Sequence, residues 1–284
     1  MKPPPFHYHD PRTLAETIDL LSRLENAKLL AGGQSLMPML NFRYAQPDNV
    51  IDLGRVDELA YIREEGSGLR IGAMTRQRDI EFSDLVRKKC PLMSDAIRFV
   101  GHRQTRNRGT IGGSLSHLDP AAELPLVCAT LDATVHVAGK KGERAIPMAR
   151  FPQGYMTPAI EPDEMVVAVT VPPSGPGYGF VEFARRHGDF AIVAAAATLE
   201  IAGGTVKRAS VALGGVGPAP VRCADAENLL AGQRPTPEAL RAAAETCRKV
   251  DAMEDVHAPA SYRQHLATVM ARRALEAAVK NAGA

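Results

Sequence analysis

Two pairs of adjacent glycines constrain this chain more than any other feature. The first lies in Ala31-Gly32-Gly33-Gln34-Ser35-Leu36, directly after the apolar run Ala27 to Ala31. The second lies in Gly109-Thr110-Ile111-Gly112-Gly113-Ser114. Without Cβ, the backbone can take positive φ and come close to a ligand. Successive N–H groups in such a turn converge into a nest that suits phosphate oxygens. A glycine pair is also an ordinary turn, and for either stretch alone both readings stay open. Two stretches of matching chemistry suggest a diphosphate held from both sides.

At 284 residues the chain exceeds one typical domain, so two or three subdomains are expected. No apolar run approaches the roughly 18 residues of a membrane span. The opening Met1-Lys2-Pro3-Pro4-Pro5-Phe6 lacks the apolar core of a signal peptide, so a cytoplasmic protein is expected. A formal net charge of +2 gives no case for nucleic acid. Arg98, His102, Arg103, Arg106 and Arg108 cluster just before the second glycine pair, either as a solvated helix face or as a positive field over a diphosphate. Cys90, Cys128, Cys223 and Cys247 are far apart, and the eight histidines form no HExxH pair. A metal or iron–sulfur centre held by this chain alone is therefore not expected.

Thr13-Leu14-Ala15-Glu16 reads as a capping box before a short helix. Strands are expected at Ala27 to Ala31, Val50 to Leu53, Leu69 to Ala73, Ala133 to Ala138 and Met165 to Val171. Asp79 to Val100 reads as helix broken by Pro91, and Pro120 to Leu131 as a helix disturbed by Pro125. The run Pro172 to Gly177 is the strongest punctuation. Beyond it, Val193 to Ile201 and Thr205 to Leu213 form a hairpin signal around Gly203-Gly204. Helices are expected from Thr236-Pro237 to about Val250, and over about Tyr262 to Lys280.

Neither standard nucleotide fingerprint fits. Gly215-Val216-Gly217 is followed by prolines at 218 and 220, which spoil a dinucleotide GxGxxG, and no GxxxxGK[ST] occurs. Ala-Gly-Gly-Gln-Ser-Leu, Arg-Asn-Arg-Gly-Thr-Ile-Gly-Gly-Ser and Asp-Pro-Ala-Ala-Glu-Leu-Pro follow one another in the order that resembles the FAD-binding medium subunit of molybdenum hydroxylases, the carbon monoxide dehydrogenase and xanthine dehydrogenase family. Arg185-Arg186-His187-Gly188-Asp189-Phe190-Ala191, the opening Phe6 to Pro11 and the closing Tyr262-Arg263 fit the same pattern, so the resemblance runs nearly end to end.

The resemblance implies an α+β chain with the vanillyl-alcohol-oxidase (PCMH) type of FAD-binding fold. FAD-binding subdomains would span 1–57 and 58–176, and a C-terminal α+β domain 177–284. It implies FAD contacts from Leu30, Ala31, Gly32, Gly33, Gln34, Ser35, Leu36, Val100, Thr110, Ile111, Gly112, Gly113, Ser114, Glu123, Ile160 and Phe190. Glu123 falls where the family usually has Asp near the flavin's ribityl chain, and Phe190 where the carbon monoxide enzymes carry Tyr. Glu182 replaces a Lys found in some members. On the residues alone, Asp119 and Glu123 also read as helix caps, Phe190 as core, and Arg185 with Asp189 as an ion pair.

The resemblance further implies an electron-transfer oxidoreductase subunit with no catalytic acid or base of its own. A large partner would carry the molybdenum cofactor, and a small partner two [2Fe–2S] clusters feeding this FAD, in a dimer of heterotrimers. An external acceptor would take the electrons. A self-contained FAD oxidase of the vanillyl-alcohol type is the competing expectation. Neither glycine stretch holds the His or Cys that tethers flavin in many such enzymes.

Overall fold

The computed structural model describes residues 2–283 and shows a mixed helix-and-sheet chain built on three principal sheets. The first is a small parallel sheet in which Asn49–Asp52 lies between His7–His9 and Ala27–Leu30. The second is antiparallel, in the order Ile62–Glu65, Gly68–Gly72, Met165–Val171, Thr134–Gly139 and Gly142–Pro147. The third, also antiparallel, runs Tyr178–Phe183, Val193–Ala202, Thr205–Gly214 and Val221–Arg222.

Strand period explains how the third sheet joins the rest. Along Val193–Ala202, Val193, Ala195, Ala197 and Leu199 pack into one core with the helices Ala224–Leu230, Pro237–Thr246 and Ala260–Ala282. Ala194 and Ala196 point the other way, into the core of the second sheet, where they meet Leu124, Leu126 and Val127 of the helix Glu123–Thr130. A strand buried on both faces reads as one apolar run rather than an alternation. Its alanines let the helix and sheet backbones come close.

Several expected elements shift for local reasons. The stretch 79–100 is three short helices, Gln77–Phe82, Asp84–Lys89 and Pro91–Ala96. The Ser83 hydroxyl caps the second by accepting the Val86 N–H at 3.2 Å, and Pro91 starts the third. The helix expected from Pro120 begins at Glu123 and carries Pro125 in its first turn, where no intrahelical N–H is needed. Leu36–Asn41 is a helix with Pro38 likewise in its first turn.

The second glycine stretch is also not a loop. Thr110 caps the helix Ile111–His117, its hydroxyl accepting the Gly113 N–H at 3.0 Å. The Ile111 and Gly112 N–H groups donate to Thr75 and Ala73 carbonyls at 3.2 and 2.9 Å. These donors are already used, so no nest of free N–H groups exists there. Gly112 serves packing instead: a Cβ would stand 2.5 Å from that of Ala73.

The C-terminal core is tied together by one buried cation. Arg263 is 2% exposed, donates from Nη1 to the carbonyls of Ile192 (2.5 Å) and Gly215 (2.7 Å), and pairs through Nη2 with Asp255 at 2.7 Å. Arg263→Met keeps the apolar stem but strands two carbonyls, while the exposed Asp255 keeps its bonds from the His257 and Ala258 N–H groups. It should lower unfolding free energy by about 2 kcal/mol, the scale for leaving buried acceptors without their charged donor. Urea unfolding measures this, and a loss below about 1 kcal/mol would show that the guanidinium is not an anchor.

Candidate functional site

A cleft of about 880 Å³ is lined by the first glycine stretch, the helix Ile111–His117, the segment from Tyr155 to Val166, and Gly188 to Phe190. It brings together every residue that the sequence singled out for cofactor contact except Leu30 and Ile111. Ile111 is fully buried in the core of the second sheet. Leu30, the last residue of its strand, borders Gly33 from the side.

The floor of the cleft depends on backbone meeting backbone. A Cβ on Gly32 would run into the Arg108 carbonyl and stand 2.7 Å from Cα of Gly109. Gly33 takes φ 73°, a left-handed conformation that side chains resist. This places four successive backbone N–H groups, Gly32 to Ser35, on the cleft wall, and none donates to another described residue. They are the free donors that a phosphate requires.

Side-chain cations contribute little. Of the lining residues only Lys28 is a Lys or Arg, against Asp119, Glu123, Glu161, Glu164 and Asp189. None of the basic cluster Arg98, His102, Arg103, Arg106 and Arg108 lines the cleft. Arg106 is engaged elsewhere. It pairs with Glu81 at 2.8 Å and donates to the Val100 and Gly101 carbonyls, fixing a turn that does line the cleft.

Glu123 is 6% exposed, and its carboxylate accepts no hydrogen bond from another residue among the described ones. Burial pushes its pKa up to about 7, its own N–H opposing and Asp119 reinforcing the shift. Sequence reading noted Glu182 only as a departure from Lys. Its Oε2 is buried without a partner, and burial, reinforced by the charge of Glu123, raises it to about 8. Gln77 was missed altogether: it is 5% exposed, lines the cleft, and has a buried Oε1 with no partner. No local motif marks it, because only the fold brings it beside Gly109.

The cap readings resolve against Glu123. Asp119 accepts the Ala121 N–H at 2.8 Å and shapes the turn, whereas Glu123 takes only its own N–H and that of no other residue in the helix. Phe190 is 67% exposed at the cleft edge, not core. Arg185 and Asp189 form no ion pair among the described residues; Arg185 reaches the His257 carbonyl at 3.4 Å. No group of three His, Cys, Asp or Glu side chains is placed to hold a metal ion among the described residues. No helix is long and apolar enough to cross a membrane.

The cleft offers a large volume and a row of free backbone donors, and comparison with known proteins supplies the family. The fold is similar to that of one chain in a structure of the carbon monoxide dehydrogenase from Hydrogenophaga pseudoflava that lacks the Mo-pyranopterin moiety of its molybdenum cofactor (TM-score 0.95, 38% identity, 99% of each chain). The chain belongs to the family described as FAD binding domain in molybdopterin dehydrogenase, matched over residues 4–174. Residues 178–278 match the CO dehydrogenase flavoprotein C-terminal domain. Among relatives, the 6-hydroxypseudooxynicotine dehydrogenase complex subunit alpha of Paenarthrobacter nicotinovorans is 40% identical, covering 99% of this chain and 97% of its own. The carbon monoxide dehydrogenase medium chain of Hydrogenophaga pseudoflava is 38% identical over 98% of both chains.

The two buried carboxyls set a pH dependence. Each holds its proton in the folded chain where the unfolded chain, titrating near the ordinary value of about 4.3, has lost it. The folded state then binds more protons, so stability falls as pH rises from about 4.5 through about 8. Urea midpoints of the FAD-free protein between pH 5 and 8 should decline, and Glu182→Gln should flatten the decline. A midpoint that rises over this range would contradict the assignment.

Proposed function

We propose that this chain is the FAD-carrying electron relay of a molybdenum hydroxylase complex and does not itself bind the organic substrate. The observation that carries this is the row of four unused N–H groups from Gly32 to Ser35, set in a cleft whose charged side chains are mostly acidic. An anion can be held there by backbone dipoles but not by side-chain charge. Gly32 to Ser35 would take the diphosphate, with Thr110 and Ser114 beside it. Glu123 would accept from hydroxyls of the ribityl chain, its carboxyl taking no hydrogen bond from another described residue. Ile160 and Phe190 would lie against the flavin ring. Bound FAD supplies a centre that exchanges electrons one or two at a time.

The protein's part is to bind, orient and shield. Arg106 holds the Val100–Gly101 turn, and Asp119 shapes the approach to Glu123. The family relationship supports a large partner with the molybdenum cofactor and a small partner with two [2Fe–2S] clusters, assembled as a dimer of heterotrimers. The acceptor lies outside the chain. Subdomains at 1–57 and 58–176, followed by a C-terminal domain, are the matching division, and a cytoplasmic location is part of the same proposal.

Gly32→Val should lower bound flavin, read as the visible-to-ultraviolet absorbance ratio, by at least about tenfold, or ~1.4 kcal/mol. Circular dichroism checks that the variant is folded. Unchanged flavin content in a folded variant would remove the diphosphate assignment. Purification of the native complex, with metal analysis for iron and molybdenum, tests the relay, and a complex without either metal would overturn it.

A further inference from the structure

The cleft wall from Ala159 to Glu164 belongs to no helix or strand. Ile160, Glu161, Pro162 and Glu164 line the cleft, and Ile160 also packs against the core of the second sheet. Holding such a segment in one conformation costs entropy that its contacts must offset. Its backbone supplies few of them. The Ala159 N–H donates to the Phe151 carbonyl at 2.7 Å, the Ile160 N–H to Pro158 at 2.8 Å, and the Glu164 N–H to Glu161 at 3.0 Å.

Both ends of this segment are held by one guanidinium. Arg144 sits on the exposed stretch of the edge strand Gly142–Pro147. Its Nε donates to Glu164 Oε1 at 2.7 Å, and its Nη2 to Glu164 Oε2 at 2.5 Å and to the Ala159 carbonyl at 3.0 Å. Glu164 Oε2 also accepts the Glu161 N–H at 3.0 Å, closing the turn between them. Every side-chain bond of Arg144 among the described residues goes to this segment. An exposed ion pair adds little, but a two-pronged fork on a carboxylate is the strong exception, and the Glu164 side chain is only 13% exposed. The guanidinium holds the Glu164 carboxyl below its ordinary pKa, against the opposing effect of burial. Gly139, at the end of the neighbouring strand, brings the same hairpin up against the segment. A Cβ there would stand 2.8 Å from the Asp163 carbonyl oxygen.

We propose that Arg144 is a positioning residue for the flavin ring, its clamp on Ala159 and Glu164 setting Ile160 beside the ring. This rests on the reading that places the ring against Ile160. Arg144 does not itself line the cleft, so it acts through Ile160 rather than by touching the cofactor. A wall already clamped in the free chain leaves less to be ordered when the cofactor enters, which tightens binding. The fork also offsets the charge of Glu164, one of the five carboxylates that line the cleft. A lysine could supply that charge but not the two-pronged geometry.

The test is titration of the full chain, stripped of flavin, with FAD. Fluorescence reads the affinity, and visible circular dichroism reads the surroundings of the bound ring. Ile160→Ala should change the dichroism of bound FAD. Arg144→Met should weaken FAD binding at least about fivefold, or ~1 kcal/mol, and change the dichroism in the same sense. Arg144→Lys should restore neither value. In the Ile160→Ala background, Arg144→Met should have at most about half of its single effect, because both act through one contact. Glu164→Gln keeps the chain length but spoils the fork, and it should reproduce the effect if Arg144→Met does not fold. Unchanged affinity and dichroism in a folded Arg144→Met, full recovery with Arg144→Lys, or additive effects would overturn the proposal. Dichroism unchanged by Ile160→Ala would remove the ring from this wall, and the role of Arg144 with it. Failure of the wild-type chain to bind FAD at all would overturn the FAD reading itself.

Discussion

The contact that organises this protein is Gly32 lying directly on the Arg108 carbonyl and Gly109 Cα. It joins two segments distant in sequence into one floor, with no side chain between them. The first segment is thereby held with its N–H groups turned to the cleft. The second uses its own N–H groups on Thr75, Ala73 and the Thr110 hydroxyl. One glycine pair supplies free donors and the other supplies the rigid base against which they are set. Their chemistry looks symmetric in the sequence, yet their physical roles differ.

This asymmetry accounts for the electrostatics of the site. A cleft with one lysine and five carboxylates would repel an anion if side-chain charge decided the matter. Backbone dipoles act at contact distance, where surface carboxylates are screened by water. The one deeply buried carboxyl, Glu123, avoids the conflict differently, because burial and its acidic neighbours favour its neutral form. A neutral Glu123 and a neutral Glu182 leave the interior beside the cleft less negative than a count of acidic residues suggests. A cofactor with its own negative charge is more compatible with that interior.

Much of this was legible in the sequence. The first glycine pair, the β-branched runs, the Gly203-Gly204 hairpin and the Thr13 and Thr236 caps are local signals with local causes, and the chain uses them as expected. The misses at the site involve partners remote in sequence. Gly112 and Gly113 read as a loop because nothing nearby announces that Ala73 and Thr75 will take the helix's first N–H groups. Arg106 stays open between a solvated helix face and a positive field in the sequence because Glu81, its partner, sits in a different helix. Gln77 carries no motif, and the pairing of Glu182 with Glu123 exists only once the third sheet packs on the helix Glu123–Thr130. Resemblance to a family supplied the cofactor, a chemical identity that glycine spacing alone leaves open.

The packing also bears on how the third sheet serves a site it barely lines. Alanines at 194 and 196 face the helix that begins with Glu123, and Gly215 donates to the Pro120 carbonyl at 2.8 Å. The same Gly215 passes its own carbonyl to Arg263. A continuous set of short contacts therefore runs from the long C-terminal helix, through Arg263 and Gly215, to the turn before Glu123. The position of that buried carboxyl depends on the C-terminal core. A lesion at Arg263 would consequently reach the cleft through the 119–123 turn, although Ile192, Gly215 and Asp255, the partners of Arg263, do not line it.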